Sequence, residues 1–332
     1  MPQLRQNIIT GEWVVIAPER AKRPTEYVSA TEPKTKSSEN CAFCPENDNY
    51  KHQRLRGFET GNIFVIPNKY PVFVENPDLC PPRSYHVENN FFIARPSVGG
   101  HDVVIIKDHE LDLSTFTKDV WRDLFVIFRR RYRHYEKICN CESTMAIYNH
   151  KSGGGASMLH PHAQIFSASI VPNLISRELT ETSFYWERNG VSAFDQLIVH
   201  EQHFGHRIIH ENEYFIAFTQ YAAKFPFEIW ILPKAQQSHF EETTDRELAA
   251  AAVTMKAVIG KLDKALNNPA LNFYIHSAPH STKDVDWYRW HIEIAPRLST
   301  FGGYEMGGGM VVDIISPEIA ADYLNGKKDP TT

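Results

Sequence analysis

The sequence predicts an α+β protein built from one unit used twice. Two observations carry that reading. Apolar, β-branched runs and a long amphipathic helix recur in the same order in both halves, and the second copy trails the first by a nearly constant distance. Asp102 and Glu228 are 126 residues apart, Met145 and Asn272 127, and Gln164 and Glu293 129. Self-similarity at a fixed period marks a duplicated supersecondary unit. A chain of 332 residues can bury a substantial core in two such units. The halves are placed at 1–190 and 191–332.

In the first half, "GNIFVIPN" (61–68) and "HDVVIIKDH" (101–109) are rich in β-branched and aromatic residues and read as strands. Between 115 and 137, Val120, Leu124, Ile127, Phe128 and Tyr132 fall on one stripe at helical spacing. Two more strands follow, "TMAIYNH" (144–150) and "HAQIFSAS" (162–169). The second half repeats the order. Strands 213–220 and 227–235 precede a helix over 244–266, and strands 272–277 and 290–296 close the set. Residues 25–57, rich in Pro, Ser, Lys and Glu, read as loop.

The composition is that of a soluble globular protein, with 42% hydrophobic and 23% charged residues. A formal net charge of -5 argues against general nucleic-acid binding through a basic surface. Runs such as "FEIWIL" are far too short to span a bilayer, and "MPQLRQNIITGEW" has no signal-peptide apolar core, so a cytoplasmic protein without membrane contact is expected. Five cysteines without a secretory signal make a poor disulfide framework. Cys41 and Cys44 form a C-x-x-C that suits a metal knuckle or a redox pair, whereas Cys139 and Cys141 read as small buried residues.

The chemistry concentrates in "NHKSGGGASMLHPHAQ" (149–164). Pro161 fixes its own φ and favours an extended residue before it, and in a strand His160, His162 and Gln164 would project to one side. Gly153, Gly154 and Gly155 let backbone N–H groups approach an anion, and Ser157 adds a hydroxyl. An imidazole beside such a cradle suits nitrogen attack on phosphorus. The alternative is a set of hydrogen-bonded edge histidines. A Walker loop does not fit, since no Lys follows the glycines and a strand, not a helix, comes next.

H-P-H-x-Q after Asn-x-x-x-Gly-x-x-x-Ser resembles the galactose-1-phosphate uridylyltransferase family, the nucleotidyltransferase branch of the histidine-triad superfamily. "TGEWVVIAPERAKRP" (10–24), "CAFCP" (41–45), "YAAKFPFEIWILPKA" (221–235) and "FGGYE" (301–305) extend the resemblance over most of the chain. A related branch that phosphorolyses ADP-glucose shares nearly all of these motifs.

The resemblance implies a duplicated histidine-triad-like fold with two antiparallel sheets, each with a long helix. It implies double displacement, in which His162 takes a nucleoside monophosphate from UDP-glucose and passes it to galactose 1-phosphate, placing the enzyme in galactose metabolism. Gln164 would hydrogen-bond the phosphoryl group where true triad hydrolases carry a third histidine. Ser157, Asn149 and Gly155 match phosphate and nucleotide contacts. Arg20 and Arg23 match phosphate-binding arginines, Asn68 a nucleoside-pocket position, and Tyr304 and Glu305 a sugar-binding loop. In that loop Ser299 stands where the family has lysine and Val311 where it has glutamine.

A structural zinc would be held by Cys41, Cys44, His109 and His160. A second site, for zinc or iron, would use Glu178, His276, His291 and Glu293, the last replacing a histidine. The family often forms dimers with active sites completed across the interface, so the resemblance allows a homodimer. Two further readings stay open. One is phosphorolysis of ADP-glucose or a dinucleoside polyphosphate, with phosphate as acceptor; the other is a nucleotide-binding protein without turnover.

Overall fold

The computed structural model describes residues 1–20, 41–45, 53–76, 78, 86–88, 91–139, 141–283 and 285–327. The strands are β1 (Gln3–Gln6), β2 (Trp13–Ile16), β3 (Ile63–Pro67), β4 (His86–Glu88), β5 (Phe92–Ala94), β6 (Gly99–Ile106), β7 (Ser143–His150), β8 (His162–Ala168), β9 (Ile208–Glu211), β10 (Phe215–Thr219), β11 (Ile229–Pro233), β12 (Leu271–His276), β13 (His291–Pro296) and β14 (Val312–Asp313). The helices are α1 (Lys118–Tyr135), α2 (Asn173–Asn189), α3 (Ala193–Phe204), α4 (Asp245–Leu266), α5 (Gly303–Gly308) and α6 (Pro317–Leu324). Most of the 25–57 loop lies outside the described residues.

The main sheet runs β3-β6-β8-β7-β12-β13-β11-β10-β9. Read outward from its centre, β7-β8-β6-β3 and β12-β13-β11-β10 are the same antiparallel order, which is the duplication in three dimensions. The two expected sheets are therefore halves of one. β7 and β12 pair antiparallel, Asn149 opposite Asn272 and Tyr148 opposite Phe273, so neither half is left with a bare edge there. β1, β2 and β14 form a separate small sheet, and β4 pairs with β5.

α1 and α4 pack side by side on one face of the main sheet. Thr117 caps the first, and a Thr244–Glu247 capping box starts the second. Their apolar stripes, including Leu124, Phe128, Met255 and Leu262, meet Ala163, Ile165, Phe273 and Ile292 in one continuous core. The opposite face differs between the halves. In the second, α3 lays Phe194, Leu197 and Ile198 over Phe218, Trp230 and Leu232. In the first, Phe64 and Ile66 of β3 and Val103 and Ile105 of β6 form a small cluster on that face, with Phe43 packed against it. The site occupies that face.

α3 carries Phe194, Leu197 and Ile198 at helical spacing between Ser192 and Gly205, a stripe not counted among the helices expected from the sequence, whereas α2 has no such stripe. α2 buries only Ile175, Glu178 and Thr182, so two of its three inward residues are polar. Cys141 is buried as expected, but Cys139 is exposed beyond the end of α1 and is disulfide-bonded. Among the described residues no helix is long and apolar enough to cross a membrane.

Candidate active site and metal centre

β8 begins at His162, so the two-residue strand period links His162, Gln164 and Phe166, while His160 sits on the turn that enters the strand. That turn fixes the ring of His162. Its Nδ1–H donates to the His160 carbonyl at 2.9 Å, which leaves Nε2 with its lone pair. Burial pushes the His162 pKa down, and the bond to His160 only partly offsets this, so the ring is neutral and nucleophilic near pH 7. Phe43 stands edge-on to the ring at 5.2 Å between centroids.

The glycine loop lies against the start of β12. A Cβ on Gly154 would fall 2.6 Å from the Leu271 carbonyl oxygen, and Gly155 takes φ +83°, so both positions require glycine. Asn272, a residue the motif reading missed, ties this loop to β7. Its Nδ2 donates to Asn149 Oδ1 at 2.8 Å and to the Gly154 carbonyl at 2.6 Å. Asn149 thereby lies on the strand beside His162, while Ser157 and Gly155 are exposed on the loop rim. Across the sheet, His101 on β6 contacts Gln164 Oε1 at 2.9 Å and Asn68 Nδ2 at 3.1 Å. His101 was not singled out from the sequence, because a lone histidine in an apolar strand carries no pattern.

Other expected contacts are not gathered around His162. Arg20 ends an exposed 3-10 turn, and Arg23 lies outside the described residues. Tyr304 is exposed with its hydroxyl on Met310 Sδ at 3.5 Å, and Glu305 accepts from Gly302 N–H at its own helix start.

Cys41, Cys44, His109 and His160 converge, with their ligand atoms within 4.8 Å of one another. Cys41 Sγ lies 3.5 Å from His160 Nδ1, and Cys44 Sγ 3.1 Å from His109 Nδ1 and 3.8 Å from His160 Nδ1; the two Nδ1 atoms are 3.0 Å apart. Tetrahedral zinc with bonds of about 2.0–2.3 Å sets its ligand atoms roughly 3.3–3.8 Å apart; two of these separations lie in that range and two are a few tenths of an ångström shorter, a spacing that small side-chain shifts around such an ion would meet. His160 Nε2–H donates to the Ile106 carbonyl at 2.6 Å, which turns Nδ1 toward the ion position. The group could hold a metal ion.

Glu178, His276, His291 and Glu293 form a second group of this kind, wholly buried. Glu178 Oε1 lies 2.8 Å from His276 Nδ1, and Glu293 Oε1 3.4 Å from His291 Nε2. Burial alone would lower the His276 pKa, but Glu178 and then Glu293 raise it to about 9. Tyr288 OH donates to Glu178 Oε2 at 2.9 Å. Glu178 is thus the keystone of this cluster. Glu178→Ala is expected to lower stability by about 3–5 kcal/mol, as removal of one partner of a buried pair does; a chemical denaturation curve superimposable on that of the parent would disprove it.

His291 is the counterpart of His162, and it keeps the same anchor: its Nδ1–H donates to the Arg289 carbonyl at 3.1 Å. There the likeness stops. His291 is 0% exposed, stacked on Trp230 at 4.7 Å and covered by Phe194 of α3. Arg289, the counterpart of His160, binds the Pro233 and Lys234 carbonyls instead of joining a metal group. The first half leaves Nε2 of its histidine unspent by the turn, and the second encloses its histidine among Trp230, Phe194 and buried carboxylates.

Residues 1–172 match the family model of the galactose-1-phosphate uridyl transferase N-terminal domain, and residues 178–326 that of its C-terminal domain. The chain is 30% identical over 340 residues to the ADP-glucose phosphorylase of Arabidopsis thaliana, covering 97% of this chain and 92% of that protein. It is 27% identical to the galactose-1-phosphate uridylyltransferase of Schizosaccharomyces pombe, covering 98% and 95%. The crystal structure of the Arabidopsis ADP-glucose phosphorylase with bound ADP-glucose superposes with a TM-score of 0.82 at 27% identity, covering 98% of both chains.

Proposed function

The chain belongs to the galactose-1-phosphate uridyl transferase family, and on that footing we propose that it carries a nucleoside monophosphate from UDP-glucose to a hexose 1-phosphate on His162. The observation that carries this reading is the locked ring, with Nδ1–H spent on the His160 carbonyl and Nε2 left to attack. In the first half-reaction Nε2 forms a bond to the α-phosphorus, and the bond from that phosphorus to the bridging oxygen breaks. The sugar 1-phosphate leaves with the electron pair. In the second, a phosphate oxygen of the acceptor attacks the same phosphorus and the P–N bond breaks, restoring His162.

Positive charge develops on the imidazole as the P–N bond forms, and the His160 carbonyl at Nδ1–H is placed to stabilise it. Gln164 donates to the phosphoryl oxygens. Asn149 and the 153–157 loop hold the nucleotide phosphates, with Asn68 toward the nucleoside. Cys41, Cys44, His109 and His160 hold a structural zinc ion that pins the entry to β8, and the Glu178 cluster holds a second zinc or iron. A homodimer that brings the Tyr304–Glu305 loop to the partner's site accounts for its exposure here.

A second reading, adenylyl transfer from ADP-glucose to phosphate, is favoured by one feature. Ser299 and Val311 replace the lysine and glutamine of the uridylyltransferase sugar loop, and the same His162 intermediate would serve. Incubation with α-labelled UDP-glucose and, separately, ADP-glucose decides between them. Acid-labile, base-stable label on the protein is expected, and the donor that labels faster identifies the base. No label from either donor would sink the covalent mechanism.

A further inference from the structure

His101 lies on β6, not on the H-P-H strand, and nothing above gives it a task. Its ring is buried and stacks on its cross-strand neighbour Phe166, with centroids 4.1 Å apart and planes at 25°. Three polar groups surround it. Val72 N–H points at Nδ1 at 3.3 Å, Gln164 Oε1 lies 2.9 Å from Nε2, and Asn68 Nδ2 lies 3.1 Å from the same nitrogen.

A neutral imidazole has one donor and one acceptor nitrogen, so these contacts select a tautomer. Val72 N–H can only donate, so Nδ1 must accept, and Nε2 must carry the proton. That proton then goes to Gln164 Oε1. With the amides as they stand, the opposite tautomer would satisfy Asn68 alone and leave Val72 N–H facing an N–H. Two hydrogen bonds outweigh one. Desolvation lowers the His101 pKa, which keeps the ring neutral and the choice between tautomers meaningful.

The consequence falls on Gln164. A primary amide has an oxygen end and an NH2 end that can exchange by rotation, and only the NH2 end can stabilise phosphoryl oxygens. With its oxygen held by His101, Gln164 turns its NH2 outward on the strand face it shares with His162. We propose that His101 is a positioning residue that sets the polarity of the Gln164 amide, so that a donor rather than an acceptor faces the phosphoryl group during transfer. The inference rests on the nucleotidyl-histidine reading above.

The test pairs two variants with one spectroscopic measurement. His101→Phe keeps an aromatic ring on Phe166 and removes the N–H. In single-turnover labelling from the preferred nucleotide sugar, it should slow nucleotidylation roughly 10- to 100-fold, toward the loss seen when one preorganised donor is removed, with donor affinity within about threefold of the parent. In a Gln164→Ala background the same substitution should cost nothing further. Equal losses in both backgrounds, or full activity in His101→Phe, would overturn the proposal. Separately, nitrogen chemical shifts of the 15N-histidine-labelled protein should report His101 as the Nε2–H tautomer. An Nδ1–H tautomer would overturn the proposal even if His101→Phe fails to fold. If the parent protein takes no label at all, the parent reading fails, and the tautomer measurement still decides this geometry.

Discussion

Replacing His162 with asparagine is expected to lower turnover by roughly four to six orders of magnitude, the scale on which loss of a covalent nucleophile is felt. The nucleotide sugar should still bind, because Gln164, Asn149 and the glycine loop are held by His101, Asn272 and the β12 backbone and not by the imidazole. The protein should also stay folded. Among the described residues His162 makes one side-chain hydrogen bond, to the His160 carbonyl, and its loss costs about 0.5–1.5 kcal/mol. His291→Asn should show the reverse. Its ring is enclosed by Trp230, Phe194 and the buried carboxylates, so the unfolding midpoint falls while His162 still takes label. Labelled nucleotide sugar with acid and base quenches, run beside thermal unfolding, separates the two. Acid-labile label persisting in His162→Asn would move the nucleophile elsewhere.

This contrast between pseudo-equivalent histidines explains what could and could not be read from the sequence. The repeat was legible because both halves use the same apolar strands and the same stripe on the long helix, and these set the offset. Cys41, Cys44, His109 and His160 were named through a resemblance of motifs, and the fold does draw them together. The pairing of β7 with β12 was not legible, because strand alternation states which face is buried and not which edge finds a partner. α2 was not legible either, since it turns Glu178 and Thr182 inward and lacks an apolar stripe, whereas α3, the cover over the second half, shows one in Phe194, Leu197 and Ile198. His101 and Asn272 escaped as the β7–β12 pairing did. Each acts through a cross-strand neighbour far away in sequence, and only the register of the folded sheet brings them to Gln164 and Asn149. Two equivalent turns hold His162 and His291 by the same Nδ1 contact, and α3 laid over the second encloses His291.

Cys44→Ser should remove one zinc ion per chain and weaken both stability and catalysis, although Cys44 touches no substrate. The path runs through His160. Its Nδ1 lies 3.8 Å from Cys44 Sγ and 3.0 Å from His109 Nδ1, its Nε2–H is fixed on the Ile106 carbonyl, and its own carbonyl holds the ring of His162. An ion among these donors would therefore fasten the turn that holds the ring of His162. In small zinc domains the ion supplies about 10–16 kcal/mol and decides whether the chain folds at all. Here a large core stands without it, so the loss should be local, on the order of 3–5 kcal/mol, with the helices intact by circular dichroism. Transfer should slow by about 10- to 100-fold, since a misplaced reacting group costs on that order. Because two thiols and two imidazoles must be deprotonated to bind, zinc affinity should fall as the pH is lowered. Elemental analysis of the parent and the variant is the direct check. Unchanged zinc content would remove these four residues as the site, and zinc lost with labelling at full rate would break the link from metal to His162.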